Sequence, residues 1–547
     1  MISSLDYPLW GLKTQGMRIR VNEKRFMMTR HEMLQRLRRT PECDVLILGG
    51  GVNGTGLLRE LALQGIHAVL VDKADFSAGA SSKSSRMIHG GLRYLENAEF
   101  RLVSESVLER NRLLKYAPHY VKPLKTTIPI ISWLAGMIKA PLIFFGMNLK
   151  VGGRGAIIVK MGLTFYDILT CRLRQTPWNF LMGKKRSLQE IPGLREDIVC
   201  TATYWDAWIS QPERLCVEMV LEACAEQPDC VALNYATAQK EGADTVRIHD
   251  DLTGESVAVK PRCVVNATGA WVDFANKTMG IESRLMGGTK GSHLVIDNAG
   301  LFNALGDRMI YYEHTDGRIC ITFRFMDKVI MGSTDIRVEN PDDAACDDAE
   351  IDYMMQTLHG VFPKIEIKRS DIVHIFCGVR PLMSSGEGYT SKVSRSHFLA
   401  EHPVGEDRSF PVYSMVGGKL TTFRAFAEMT ANRILKLLGK PRHVSTADRA
   451  YPGTAREDAH PPRLAGTLAL QTLPGYTVEA IRAIAQHELV VHLSDLVRRR
   501  SVITLLGQTT EASASELATV VGDVLGWDDA KRQEEIRLAL HEAQGRI

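Results

Sequence analysis

Three glycines and one acid carry the first chemistry visible in this chain. Gly49, Gly51 and Gly54 follow the spacing G-x-G-x-x-G, and Asp72 lies roughly 20 residues on, where a ribose-binding acid is expected. Gly49 permits a tight turn, Gly51 lets the backbone approach a pyrophosphate, and Gly54 lets helix pack on strand. Free N–H groups at the helix N-terminus would then face the phosphates. Asp72 would accept hydrogen bonds from a ribose diol, which argues against a nicotinamide cofactor carrying a 2′-phosphate. The elements that must hold these groups surround them in register. Val45-Leu46-Ile47-Leu48 reads as a buried strand, residues 52–63 as a helix with Leu57, Leu58, Leu61 and Ala62 on one face, and Ala68-Val69-Leu70-Val71 as a second buried strand ending at Asp72. A lone glycine motif is weak. Strand, glycines, helix, strand and acid together favour a dinucleotide site over a plain βαβ crossover, and which dinucleotide it holds is decided elsewhere in the chain.

With 547 residues the chain exceeds the size at which one core keeps growing, so two or three domains are expected. A net charge of +4 is small for this length and argues against nucleic acid as the principal partner. The 10 cysteines are scattered, without C-x-x-C pairs or histidines at metal spacing, and read as reduced thiols rather than a disulfide framework or a metal site. The first 40 residues lack the apolar region of a cleavable signal and carry Arg18, Arg20, Lys24, Arg25, Arg30, Arg36, Arg38 and Arg39. They read as a disordered or weakly helical basic lead-in, with attraction to an anionic membrane as the sharper alternative; a start at Met27 or Met28 stays open.

A polar loop at 77–85 leads to Arg86–Glu96, and a charged amphipathic helix is expected over 99–116. Residues 127–149 are the most apolar stretch, but Lys139, Pro129 and Pro141 make a membrane-spanning helix a poor fit. The stretch is either buried core or an apolar surface that dips into one leaflet. Next come a helix at 212–224, a meander over 231–257, and an apolar strand at 258–265 that ends in Asn266–Trp271. A strand-rich block follows at 287–335, then a helix at 349–361 and a strand at 372–379 closed by Arg380-Pro381. A strand at 411–416 runs into Gly417-Gly418-Lys419-Leu420-Thr421-Thr422 and a long helix to about Leu438. After Pro441 the composition turns helical, as in 487–500 and 512–525. The fold class is therefore α/β: a Rossmann-type dinucleotide domain interleaved with an α+β domain on a mixed sheet, plus a C-terminal all-helical domain. The expected divisions are a basic extension at 1–41, an oxidoreductase region at 42–440 and the helical domain at 441–547. Within 42–440, segments near 42–98, 200–280 and 372–440 would bind the cofactor, and those near 99–199 and 281–371 the substrate.

The order of motifs resembles the FAD-dependent glycerol-3-phosphate dehydrogenases, including the related oxidases, from Asp44 through the helical tail. It rests on GGGVNGTG at 49–56, SSKSSRMIHGGLRYLENAEFRLVSESVLER at 81–110, YWDAWISQPERL at 204–215, VVNATGAW at 264–271, KGSHLVI at 290–296, GSTD at 332–335, GVRPL at 378–382, GGKLTTFR at 417–424 and LSDLVRRRS at 493–501. The resemblance implies FAD, held by Ser81, Ser82, Ser84 and Ser85, by His89, Gly90 and Gly91, by Ala267, Thr268 and Gly269, and by Gly417, Gly418, Leu420 and Thr421. The glycine pair would open the long helix and set its positive end near the flavin. The implied substrate is glycerol 3-phosphate or a related polyol phosphate, met by Arg93, Arg380 and Lys419, with His293 as base or orienting group. The implied reaction is hydride transfer to flavin N5, yielding dihydroxyacetone phosphate. Electrons would pass to a membrane quinone, or to oxygen in the oxidase branch. The protein would then be cytoplasmic and peripheral on the inner membrane. A four-carbon substrate such as erythritol phosphate is the runner-up, because 126–160 departs most from the common pattern. A flavin-binding scaffold without turnover is a remote alternative, and a homodimer is left open.

Overall fold

A computed structural model of the protein describes residues 28–92, 99–135, 155–171, 174–314, 317–384, 396–455 and 467–545. Largely apolar runs, buried on both faces where they pair in parallel, form the first sheet. Glu42–Leu48, Ala68–Val71, Val231–Leu233, Ser256–Asn266 and Val412–Gly417 pair in parallel, and His397–His402 closes one edge antiparallel. Such strands need cover on both faces. On one face Leu57, Leu58 and Leu61 of the helix Val52–Ala62 pack with Phe426, Ala427 and Ile434 of the helix Phe423–Leu438. On the other lie the helix Arg30–Arg39 and the antiparallel ribbon Ala236–Lys240 with Val246–Asp250.

The helix Arg30–Arg39 corrects the expectation of a loose lead-in. Thr29 and Glu32 form a capping box, and Met33, Leu34 and Leu37 are buried against the sheet. Arg30 donates to Asp250 at 2.7 Å and to Asn234 at 3.0 Å. Residues 28–41 thus belong to the nucleotide-binding layer, while the basic residues before them lie outside the described residues.

The second sheet is mostly antiparallel and carries Thr289–Ile296 near one edge and Cys200–Ile209 near the other. It also takes in two strands from stretches expected to bind the cofactor. Cys200–Ile209 pairs over ten residues with Val121–Ile130, and Ile372–Arg380 pairs with Thr289–Ile296. Both strands therefore lie in the second sheet and not in the one that carries the glycine turn. Their sequences show only that they are apolar, not which neighbour supplies their hydrogen bonds.

Of the apolar stretch at 127–149, the first residues complete the strand Val121–Ile130, and 136–149 lie outside the described residues. The helix Ala156–Leu169, beyond it, is inverted. Leu163, Tyr166 and Asp167 face inward, whereas Ile157, Met161, Phe165 and Ile168 form an exposed stripe. Among the described residues no helix is long and apolar enough to cross a membrane.

The C-terminal helices Val478–His487, Glu511–Leu525 and Asp529–Ala543 share one core. The helix expected over 487–500 is broken. The helix Val478–His487 ends where that one was expected to begin, Leu489 adopts a φ of 53°, and Asp495 accepts from the backbone N–H groups of Val491 and His492. The break lets a wide π-helical turn, Leu496–Arg500, aim two arginines at the nucleotide domain. Arg500 grips both oxygens of Asp75 at 2.7 and 2.8 Å, and Arg499 reaches Asp75 at 2.6 Å and Asp495 at 2.5 Å. Burial alone would raise the Asp75 carboxyl, but Arg500 and then Arg499 hold it well below the ordinary carboxylate range. Replacing Asp75 with Ala strips the buried Arg500 of its bidentate carboxylate and leaves Arg499 with Asp495 alone. The expected loss is about 3–5 kcal/mol, read as a lower urea midpoint.

Candidate active site

A cavity of about 960 Å³ lies between the two sheets. It opens at the carboxyl ends of the parallel strands, beside Leu48, Val71, Ala267 and Gly417, which is where open α/β sheets place ligands. Its size is at the top of the range for small-molecule sites.

The glycine turn needs its glycines for steric reasons. Gly49 has a φ of 100°, and a Cβ there would sit 2.8 Å from the Ala267 carbonyl oxygen. A Cβ on Gly54 would lie 1.9 Å from the Gly49 carbonyl oxygen, so helix and strand touch through backbone alone. Gly51 sits at the N-cap of the helix Val52–Ala62 with no side-chain cap. The Asp72 carboxylate accepts from Gly50 N–H at 2.6 Å and Ala74 N–H at 2.8 Å. Crowding by protein pushes its carboxyl up to about 6 against those two donors, although one side stays open to the cavity. Lys73 lies 4.8 Å over the Trp271 ring, whose Nε1 donates to Asp342 at 2.9 Å, and Phe274 lines the same cavity. This glycine turn, open acid and aromatic wall fit the ADP half of a dinucleotide.

The serines divide. Ser81 accepts from Val52 N–H at 2.9 Å, Ser84 accepts from Arg86 N–H at 3.3 Å, and Ser85 shares a 2.7 Å hydrogen bond with His293 Nε2; all three line the cavity. Ser82 does not line it, and its hydroxyl donates to the Gly79 carbonyl instead. Gly91 and His89 line the cavity, and His89 N–H donates to Thr421 Oγ1 at 3.1 Å. Gly90 packs away from it, because its N–H donates to the Tyr166 hydroxyl and to Asp206, and a Cβ would lie 2.1 Å from that hydroxyl. Ala267, Thr268 and Gly269 follow the strand that ends at Asn266 and line the cavity, with Thr268 N–H donating to the Asn266 side chain.

The Gly417-Gly418 pair does not open the long helix. Gly417 ends a strand with a φ of 76°, Gly418 follows at 96°, and the helix starts only at Phe423 with Thr422 as N-cap. Lys419, Leu420 and Thr421 form the turn between them, and the turn lines the cavity together with both glycines.

Arg380 and His293 face the cavity from adjacent strands. Arg380 donates through Nη1 to the Lys290 carbonyl and Asp335, each at 3.2 Å. Through Nη2 it reaches Ser333 at 2.6 Å and the Thr334 carbonyl at 3.0 Å. His293 stacks on Phe376 at 4.7 Å. Its Nδ1 is buried near the Gly291 carbonyl without completing a hydrogen bond. Burial, followed by the charges of Arg380 and Arg86, pushes the imidazole down to about 3. Lys419 Nζ donates to Ser106 at 3.2 Å. Arg93 lies outside the described residues.

Sequence reasoning missed two supports. Ser333, Thr334 and Asp335 fall in the GSTD motif, whose spacing gives no hint that they hold an arginine. Tyr166, Arg110 and Asp206 form a buried network behind Gly90, with Arg110 reaching Asp206 at 2.9 Å and Tyr166 at 3.0 Å. Nothing in the pattern of the helix Ala156–Leu169 marks Tyr166 as different from its other apolar positions.

Comparison with known proteins agrees with this geometry. The family described as FAD dependent oxidoreductase (DAO) matches residues 44–433. The chain is 32% identical over 436 residues to D-erythritol 1-phosphate dehydrogenase of Brucella abortus, covering 78% of this chain and 80% of that one. It is 30% identical over 431 residues to the aerobic glycerol-3-phosphate dehydrogenase of Escherichia coli, covering 76% and 77%. The fold is similar to that of the glycerol-3-phosphate dehydrogenase from Bacillus halodurans complexed with FAD, at a TM-score of 0.70 and 19% identity over 94% of this chain and 97% of that one.

Two outcomes are expected. Gly54→Ala drives the helix off its strand, so the purified variant carries less flavin per chain by absorbance. The second concerns pH. Unfolded, His293 titrates near 6.5, whereas folded it titrates at about 3. Between these values the unfolded chain holds the extra proton, so stability falls as the pH drops through that window. In a His293→Asn variant, unfolding free energy against pH becomes flatter there by up to about 1.4 kcal/mol per pH unit.

Proposed function

Because the chain belongs to the FAD dependent oxidoreductases, within the glycerol-3-phosphate dehydrogenase family, we propose that it oxidises sn-glycerol 3-phosphate to dihydroxyacetone phosphate. The observation that carries this reading is the meeting, in one cavity, of fixed positive charge with a neutral imidazole. Bound FAD supplies the hydride acceptor. Arg380, its terminal N–H groups held by Lys290, Ser333, Thr334 and Asp335, brings fixed positive charge to the wall that would meet a phosphate dianion, and Lys419 adds a second charge. His293 Nε2, already in a hydrogen bond with Ser85, accepts the hydroxyl proton or orients that hydroxyl. The turn Gly417–Thr421, ahead of the helix Phe423–Leu438, favours negative charge on the bound cofactor. Arg93 is proposed to complete the phosphate site.

A membrane quinone is the proposed electron acceptor, and the exposed stripe Ile157, Met161, Phe165 and Ile168 the proposed contact with the cytoplasmic face of the inner membrane. Trp133, Leu134, Trp178 and Phe180 are also exposed, and the solvated Lys184 and Lys185 follow Phe180 closely enough to meet anionic headgroups. A second reading keeps the chemistry on a longer polyol phosphate. The 32% identical relative and the extension of the cavity to Tyr311 and Arg318 favour it.

Anaerobic bleaching of the flavin by glycerol 3-phosphate, compared with erythritol 1-phosphate, decides the substrate; no bleaching by either sinks the reading. A quinone analogue or oxygen added afterwards identifies the acceptor. Arg380→Ala is expected to raise KM on the order of 100-fold through loss of the fixed charge beside the phosphate and of the wall it organises. The paired change Met161→Glu and Phe165→Glu is expected to abolish co-sedimentation with anionic phospholipid vesicles and to leave bleaching intact.

A further inference from the structure

Glu350 is 3% exposed, at the start of the helix Asp348–Val361, away from the cavity lining. Its place in a capping box accounts for one contact, the Asp347 N–H that donates to Oε2 at 3.2 Å. Three further donors converge on the same carboxylate. Ser292 Oγ reaches Oε1 at 2.8 Å, Thr334 Oγ1 reaches Oε1 at 2.5 Å, and Lys290 Nζ reaches Oε2 at 2.6 Å. Thr334 Oγ1 also accepts from Ser292 N–H at 2.9 Å, which ties strand and turn together.

The segments gathered in this way are the two that hold Arg380. Its acceptors are the Lys290 carbonyl on one, and Ser333, the Thr334 carbonyl and Asp335 on the other. The strand adds a steric condition. A Cβ on Gly291 would lie 2.1 Å from Arg380 Nη2, so the guanidinium rests against bare backbone. An arginine side chain has several rotatable bonds, and holding its fork at one angle requires neighbours that are themselves fixed.

We infer that Glu350 is a positioning residue for the substrate site: its carboxylate locks Lys290, Ser292 and Thr334 so that their segments aim the Arg380 guanidinium into the cavity. This rests on the reading of Arg380 as a phosphate-binding group. Glu350 touches neither substrate nor cofactor, and acts by fixing the acceptors of Arg380.

The test measures KM, kcat and FAD content of the holoenzyme with glycerol 3-phosphate in Glu350→Gln, Thr334→Val and Arg380→Ala, and in each of the first two combined with Arg380→Ala. Glu350→Gln and Thr334→Val are each expected to raise KM about tenfold, with kcat within about twofold and FAD content unchanged. On the Arg380→Ala background neither raises KM further, since coupled residues are non-additive. An unchanged KM in both, beside a raised KM in Arg380→Ala, overturns the inference and leaves the site intact. The inference fails equally if KM effects add fully on the Arg380→Ala background, or if kcat and FAD content fall with no change in KM. An unchanged KM in Arg380→Ala itself overturns the reading of Arg380. If Glu350→Gln does not fold, Thr334→Val carries the test, because it removes the link to the turn and retains the carboxylate.

Discussion

A carboxylate with no access to water must be given partners or lose its charge, and Asp75 shows how much of this structure follows from that constraint. It sits three residues beyond the acid that closes the glycine turn, and its oxygens accept from Arg499, Arg500 and Asn234. The two arginines come from the far end of the chain, from a turn that exists only because a helix is interrupted before it. The nucleotide loop and the helical domain are therefore fixed by one carboxylate and its neighbours. Tyr235 extends the arrangement by donating to Asp495 at 2.5 Å.

The same solution recurs around the cavity. Arg59 pairs with Glu222, Arg86 with Glu213, Arg110 with Asp206 and Arg424 with Glu109, each with both side chains nearly excluded from solvent. These pairs join residues distant in sequence. Arg424 ties the helix Phe423–Leu438 to the helix Phe100–Tyr116, and Arg86 ties the serine-rich loop to the helix Pro212–Glu226. Such a pair adds little net stability over an apolar contact, but removing one member leaves a charge stranded. The elements that surround the cavity are thus joined by contacts that tolerate few alternative geometries, and that suits a site that must hold a long cofactor and a small dianion in register.

Much of this could be read from the residues alone, for a definite reason. Gly49, Gly54 and Asp72 answer to constraints that act within one βαβ unit, so spacing exposes them. Val52–Ala62 and Ala68–Val71 follow from apolar runs of the proper period. The assignment of Cys200–Ile209 and Ile372–Arg380 to the second sheet did not follow, because strand pairing is non-local and two apolar strands look alike until their neighbours are known. Ser82 could not be told from Ser81, since the difference is which way a turn points each hydroxyl. Glu350 left no signal beyond that of a helix cap, and its other partners lie 16 to 60 residues away. The interruption after His487 was masked by a helical composition that continues through it.

Tyr166 holds the peptide N–H of Gly90, between two residues that line the chamber, and its sequence neighbour Phe165 faces outward from the same helix. Between that helix and the chamber lies the strand Cys200–Ile209, whose Tyr204 shares a core with Tyr166 and lines the chamber. The peptide of Gly90 is therefore held by Tyr166 and Asp206 together, with Arg110 bonded to both, so the outward-facing helix and the chamber floor share one buried polar network.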